Sequence, residues 1–200
     1  MKQQLEAWEG EFGTSYTDRN VVDPASRLEA FRTMLGGLNL NGILEVGCNR
    51  GHNLVVLREI FGETAEIVGI EPNQDARIIA RRTGNPVLRG NAVELPFLPG
   101  AFELVMTAGV LIHVALSDLP LAMAEIARTS SRYILCAEYF AQEETEIEYR
   151  GNRGLLWKRN FLEHYHRVLP GITVERSGYW EKENGFDRTH WWLLSKPCVR

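Results

Sequence analysis

The stretch Ile43-Leu44-Glu45-Val46-Gly47-Cys48-Asn49-Arg50-Gly51-His52-Asn53-Leu54 constrains the fold of this chain more than any other. An apolar run ends in a carboxylate, two glycines bracket a short turn, and an amphipathic segment opens. That order predicts strand, tight turn and helix. Glycine tolerates the φ/ψ values of a sharp turn and lets a ligand approach the backbone with no Cβ in the way. The helix that follows points its free N–H groups at whatever lies over the turn.

The flanking chain repeats the alternation. Pro24 suits a helix start, and Leu28, Phe31, Met34, Leu35 and Leu38 follow at three- and four-residue spacing before Gly36-Gly37 and Asn41-Gly42. After the turn, Leu54, Leu57, Ile60 and Phe61 mark the buried face of a helix ending near Gly62. Strands are expected at Glu66–Glu71, Pro86–Gly90, Phe102–Thr107 and Tyr133–Phe140, with helices around Ala76–Ala80 and Leu119–Arg128. A helix from Leu155 to Leu169 and two last strands, Thr173–Tyr179 and Thr189–Ser195, complete the chain. Strands alternating with helices at this pitch predict an α/β fold, Rossmann-like and doubly wound: a mostly parallel seven-stranded sheet with helices on both faces. No linker or repeat divides the chain, so 1–200 reads as one domain. Within it 1–40 would be N-terminal helices forming a lid, 41–140 the cofactor-binding core, and 141–200 a substrate-side insertion and final strands.

A net charge of −4 disfavours a general nucleic-acid partner. No apolar run approaches the roughly 20 residues of a membrane span, and the polar start Met1–Glu6 lacks the core of a signal peptide. Cys48, Cys136 and Cys198 form no CxxC pair and read as reduced thiols. The expectation is a cytoplasmic monomer or homodimer acting on a small molecule. His164 and His166 would point to different faces of a helix, and no metal is expected. The acidic run Glu143–Glu148 reads as a solvated loop, and Trp191-Trp192 as packing around a late strand.

In open parallel sheets the ligand lies at the carboxyl ends of the strands, where strand order reverses. Three such ends carry suitable groups. Glu45 with the loop Gly47–Gly51 closes the first. Glu71, 24 residues after Gly47, closes the second, where a carboxylate can accept from both hydroxyls of a ribose. Asn91-Ala92 follow the third, offering an amide and a backbone N–H to an adenine edge. A dinucleotide site prefers G-x-G-x-x-G, whereas this chain has Gly47-x-x-x-Gly51 with Asn49 inside. An acid before the turn repels a pyrophosphate and welcomes an ammonium. The pattern favours S-adenosylmethionine.

Taken together, Ile43–Gly51, Gly69-Ile70-Glu71-Pro72-Asn73, Asn91–Phe97 and Phe102–Val114 resemble the successive motifs of class I S-adenosylmethionine-dependent methyltransferases. The resemblance implies that Glu45, Gly47, Cys48, Asn49 and Gly51 line the methionine and ribose end, and that Glu71 holds the ribose. Pro72, Asn91 and Ala92 would meet the adenine, and Gly109-Val110 would pass beneath the methionine part. Asn49 replaces the usual middle glycine, and Asn91 the usual acid. The opening Trp8–Asn20, with Glu138-Tyr139-Phe140, Tyr149-Arg150-Gly151 and Leu156–Phe161, is similar to small methylases associated with pseudaminic acid biosynthesis genes. Such a likeness supports a small polar acceptor, methylated on O or N.

His113 follows the fourth strand and is either a general base or a helix-starting residue that shapes the pocket. Glu138 and Tyr139 end the fifth strand, where they would bind or deprotonate an acceptor or else close the core. Tyr16 and Arg19 are candidates to clamp the cofactor's carboxylate or the substrate from above, with Arg19 otherwise an ordinary surface charge. Arg150, Lys158 and Arg159 are candidates to receive a carboxylate or phosphate of the acceptor. Two rival readings remain: a non-catalytic S-adenosylmethionine-binding module acting as sensor or partner subunit, and a nicotinamide oxidoreductase, which the glycine spacing opposes.

Overall fold

The sheet is what the apolar runs build. In the computed structural model, which describes residues 2–197, seven strands lie in the order β3-β2-β1-β4-β5-β9-β8. They are β1 (Gly42–Val46), β2 (Glu66–Ile70), β3 (Val87–Leu88), β4 (Phe102–Ala108), β5 (Ser130–Glu138), β8 (Thr173–Trp180) and β9 (Thr189–Ser195). The first five pair in parallel, and β9 runs antiparallel to both β5 and β8. A short hairpin of β6 (Thr145–Glu146) and β7 (Trp157–Lys158) stands apart.

Alternate residues of each central strand bury on opposite faces, which is why the runs are apolar throughout rather than every second position. Leu44, Val68, Val105, Ile134 and Leu194 face one layer, packed by α6 (Leu119–Thr129) and α7 (Phe161–Val168). Ile43, Ile67, Leu104, Leu135 and Leu193 face the other, packed by α3 (Leu28–Leu35) and α4 (His52–Phe61). Each such side chain contributes about 1.5–3 kcal/mol by leaving water.

The chain winds outward through β1, β2 and β3, then returns beside β1 with β4. The carboxyl ends of β1 and β4 therefore flank the switch point. Over those ends lie α1 (Lys2–Glu9) and α2 (Glu11–Arg19), and α5 (Gln74–Ala80) follows β2. Asn73 caps α5 by accepting from the Ala76 N–H at 3.0 Å. Its own amide nitrogen donates toward the helix pair: to Trp8 O at 3.1 Å, Thr14 Oγ1 at 3.2 Å, and Glu9 O and Gly10 O at 3.4 Å.

Two local readings change. The helix expected over Leu155–Leu169 is divided: Trp157-Lys158 pairs with Thr145-Glu146, and α7 begins only at Phe161 because Asn160 caps it, accepting from the Glu163 N–H at 3.2 Å. Part of the acidic run is thereby strand rather than loop, with Glu144 paired to Arg159. The helix after Pro24 opens as a 3-10 turn, Pro24–Arg27, and stops at Leu35, with Leu38 beyond it. Cys198 lies outside the described residues, while Cys48 and Cys136 are buried free thiols. Among the described residues, no helix is long and apolar enough to cross a membrane.

Candidate active site

A cavity of about 280 Å³ opens at the switch point, roofed by Trp8, Gly13 and Tyr16 from the helix pair. Its floor is the turn after β1. Gly47 and Cys48 both donate from the backbone to Ile70 O, at 2.7 and 3.0 Å, which ties the turn to β2. Gly47 has φ 75°, and a Cβ there would lie 2.5 Å from a methyl of Val110. Gly47→Ala is expected to lower stability by about 1–2 kcal/mol from the left-handed backbone alone and to push Val110 into the cavity. Thermal unfolding and a cofactor titration check both effects. Asn49, at φ 44°, occupies the same left-handed region, which asparagine tolerates better than other side chains. Its side chain bonds Thr17 Oγ1 at 3.0 Å and the Arg50 N–H at 2.8 Å. Gly51, at φ 77°, does not line the cavity. A Cβ there would meet Thr83 and Ala80 at 3.1–3.3 Å, so this glycine lets α4 start against the end of α5.

Two carboxyl groups dominate the floor. Glu71 is held by two backbone donors, the Asn73 N–H on Oε1 at 2.8 Å and the Asn49 N–H on Oε2 at 2.9 Å. Burial raises its pKa and those donors oppose the rise. Glu45 is buried, with Oε1 accepting from Asn53 Nδ2 at 2.6 Å and Oε2 without a partner. Burial pushes its pKa up to about 7. Arg27 stands beside this pair, its Nη1 donating to Asn53 Oδ1 and its Nε to Gly185 O, both at 2.8 Å, with its guanidinium 4.8 Å over the Phe186 ring. An orphaned buried carboxylate oxygen next to a guanidinium suits the ammonium and carboxylate of a methionine moiety. Nothing around them is arranged for a pyrophosphate. The donor set fits S-adenosylmethionine.

The rest of the wall divides between a side formed after β2 and β3 and an open side. Pro72, Asn91 and Ala92 line the former, with Asn91 Oδ1 accepting from the Val93 N–H at 2.9 Å. Gly109 and Val110, after β4, also line the cavity. On the open side, His113 Nδ1 lies 2.6 Å from Leu155 O, a contact that requires a proton on Nδ1 and leaves Nε2 as the acceptor. The ring packs 4.4 Å from Trp8, and burial lowers its pKa to about 4, so it is neutral at physiological pH. Tyr139 donates from its hydroxyl to Asp187 Oδ2 at 3.2 Å, and burial raises its pKa above the usual phenol range.

Five further candidates sit elsewhere. Glu138 is wholly buried, and its carboxylate accepts from the backbone N–H groups of Val110, Leu111 and Ile112 at 3.1–3.2 Å, so it holds the β4 loop and does not line the cavity. Arg159 is buried too, bonded to Glu144 at 2.5 Å and to Val114 O at 2.7 Å; it braces the same loop from behind. Lys158 lies against the Tyr139 ring at 5.9 Å, outside the cavity. Arg150 is exposed in a turn at φ 52°. Arg19 is exposed on α2, over the rings of Tyr16 and Phe12 at 5.6 and 5.9 Å, and does not reach inside. Conversely, Arg27, Asn53, Asn73 and Asp187 line the cavity without having stood out in the sequence. Asn53 lies two residues beyond the motif Ile43–Gly51 and Asn73 is the last residue of the motif Gly69–Asn73, which was the available signal; Arg27 and Asp187 had none.

No curated protein matches the sequence. Solved structures match over nearly the whole chain. Magnesium protoporphyrin IX methyltransferase from Synechocystis PCC 6803 is 13% identical with a TM-score of 0.74, covering 98% of this chain and 100% of its own. 1,6-Didemethyltoxoflavin-N1-methyltransferase from Burkholderia thailandensis is 16% identical with a TM-score of 0.75, covering 98% and 89%. A possible histamine N-methyltransferase from Thermotoga maritima is 17% identical with a TM-score of 0.64, covering 98% and 100%. Residues 44–132 match the family model described as a methyltransferase domain, and the chain has the fold of solved S-adenosylmethionine-dependent methyltransferases.

Proposed function

We propose that the protein transfers a methyl group from S-adenosylmethionine to an O or N atom of a small polar metabolite. The observation that carries this reading is the pairing of Glu45, with a free buried oxygen, and Glu71, pre-set by two backbone donors, in one cavity that also opens onto His113 and Tyr139. When bound, the cofactor supplies an electrophilic methyl on a sulfonium. Glu71 would accept from the ribose hydroxyls, and Pro72, Asn91 and Ala92 would border the adenine. Glu45 Oε2 would receive the ammonium, and Arg27 the carboxylate. The roof of Trp8 and Tyr16 keeps water from the reacting centre, and the wall aligns the acceptor, which is the larger part of catalysis for an in-line displacement. His113, neutral with Nε2 as acceptor, is positioned to take a hydrogen bond or a proton from an acceptor hydroxyl or amine. The neighbours that methylate toxoflavin and porphyrin precursors support a small-molecule acceptor, and they carry the fold at low identity.

Isothermal calorimetry with S-adenosylmethionine and S-adenosylhomocysteine tests the reading, with nicotinamide dinucleotide as the competing ligand; absence of binding by both sulfur ligands rejects it. The same titration tests the Glu45 role. Because the buried carboxyl has a pKa of about 7 and a bound ammonium favours its charged form, binding near pH 7 is expected to release a fraction of a proton. The observed heat should therefore depend on the buffer's ionisation enthalpy, and affinity should rise with pH from about 6 to 8. Glu45→Gln should abolish this proton release. A buffer-independent heat for the wild-type protein removes Glu45 as the ammonium site.

A further inference from the structure

Carboxyl groups outnumber cations around the cavity. Among the described residues lining the cavity, four carboxyl groups, Glu45, Glu71, Asp118 and Asp187, face one guanidinium, Arg27. Arg27 bonds Asn53 and Gly185 and, on the reading above, takes the carboxylate of the cofactor. His52 and His113 are held neutral by burial, each with a pKa of about 4. Of the cations expected to receive an anionic acceptor, Arg159 is committed to Glu144 and Val114 O, Arg150 lies in an exposed turn, and Lys158, 5.9 Å from the Tyr139 ring, does not line the cavity. Arg188, next in sequence to Asp187, lies 3.9 Å from Glu181.

Asp187 differs from Glu45 and Glu71 in where it comes from. Those two end β1 and β2, on the cofactor side. Asp187 lies in the β8–β9 connection, at the exposed mouth, bonded to the Tyr139 hydroxyl. The Tyr139 hydroxyl donates to Oδ2 and fixes the carboxylate toward the opening. A carboxylate held by a phenol at the mouth of a cavity is a receiver for an organic ammonium, by charge-assisted hydrogen bonding.

Resting on the methyltransferase reading above, we propose that the acceptor is an amine-bearing small molecule whose ammonium group is recognised by Asp187, with Tyr139 as the residue that positions the carboxylate. Asp187 is thus the specificity-determining residue of the acceptor site, and carboxylate or phosphate acceptors are rejected there. With Arg27 the one Lys or Arg among the described residues that line the cavity, the discrimination is repulsive as well as attractive.

The test titrates the full chain saturated with S-adenosylhomocysteine against matched ring probes: phenethylamine and tyramine on one side, phenylacetate and 4-hydroxyphenylacetate on the other. The amines are expected to bind and the acids not. Asp187→Asn is expected to weaken amine binding by about tenfold or more, and Asp187→Lys to admit the acids. Glu183→Gln, which removes an exposed carboxylate of the same connection outside the cavity, should change neither series. The inference is overturned if the acids bind as well as the amines, if neither series binds, or if Asp187→Asn leaves amine affinity unchanged. Failure of S-adenosylhomocysteine to bind in the first step is a separate result, which rejects the methyltransferase reading itself.

Discussion

Glu71→Ala is expected to weaken binding of S-adenosylmethionine by about 2–3 kcal/mol, roughly thirty- to a hundred-and-fifty-fold in dissociation constant. The size follows from what the carboxylate does before any ligand arrives. Its two oxygens are each fixed by one backbone N–H, from Asn73 and from Asn49, so both remaining lone-pair directions are set without an entropic cost at binding. Losing the side chain removes the acceptors proposed for two ribose hydroxyls and also frees the N–H of Asn49, whose left-handed backbone shapes the turn. Glu71→Gln separates the two contributions. It keeps one acceptor oxygen but turns a donor toward one of the backbone N–H groups, so its affinity should fall between wild type and alanine. An alanine variant with unchanged affinity removes Glu71 from the ribose.

The second large effect is on stability. Glu138 stands beneath the active site as the only side chain drawn up to three consecutive N–H groups of the β4 loop among the described hydrogen bonds. Glu138→Ala leaves those donors unpaired in a buried place, and unfolding free energy should drop by about 3–5 kcal/mol. Its ionisation adds a pH signature. Burial raises the pKa from 4.5 to about 7, so between those values the folded state holds more protons than the unfolded one. Stability contributed by this group is therefore present below about pH 4.5 and is lost as pH rises through 7. Glutamine does not titrate. The destabilisation caused by Glu138→Gln should thus be smaller at pH 8 than at pH 5, read from denaturant midpoints at both values. An equal or larger cost at pH 8 contradicts the assignment.

The parts of the molecule that were legible in the sequence are those whose signals are local. A strand buried on both faces must be apolar without interruption, so β1, β2, β4, β5 and β9 could be read within a few residues. The turn at Gly47–Gly51 requires left-handed backbone, and only glycine or asparagine supplies it cheaply, so Asn49 in place of a glycine kept the turn recognisable. The wall opposite the cofactor followed no such rule. Arg27 reaches Gly185 across 158 positions, and Asp187 meets Tyr139 across 48, pairings set by how β8 and β9 dock against β5. Charged residues near the end of the chain could be noticed but not aimed. Arg159 and Glu138 have the chemistry of site residues, yet each is turned into the backbone behind the β4 loop, where buried N–H and C=O groups had to be satisfied. Composition records that a guanidinium exists; its direction depends on which carbonyls the fold leaves unpaired.

Asn73 has a mechanical consequence. Its one amide nitrogen carries two protons and stands within hydrogen-bond reach of four oxygens of the helix pair, at Trp8, Glu9, Gly10 and Thr14. Acceptors thus outnumber donors, and a shift of the helices by part of a turn exchanges one partner for the next with little net loss. Thr14 on Asp75, Asn49 and Arg50 on Thr17, and Arg89 on Glu9 select one of those positions, so the roof over Glu71 is held by many weak ties, and no single one of them decides its place.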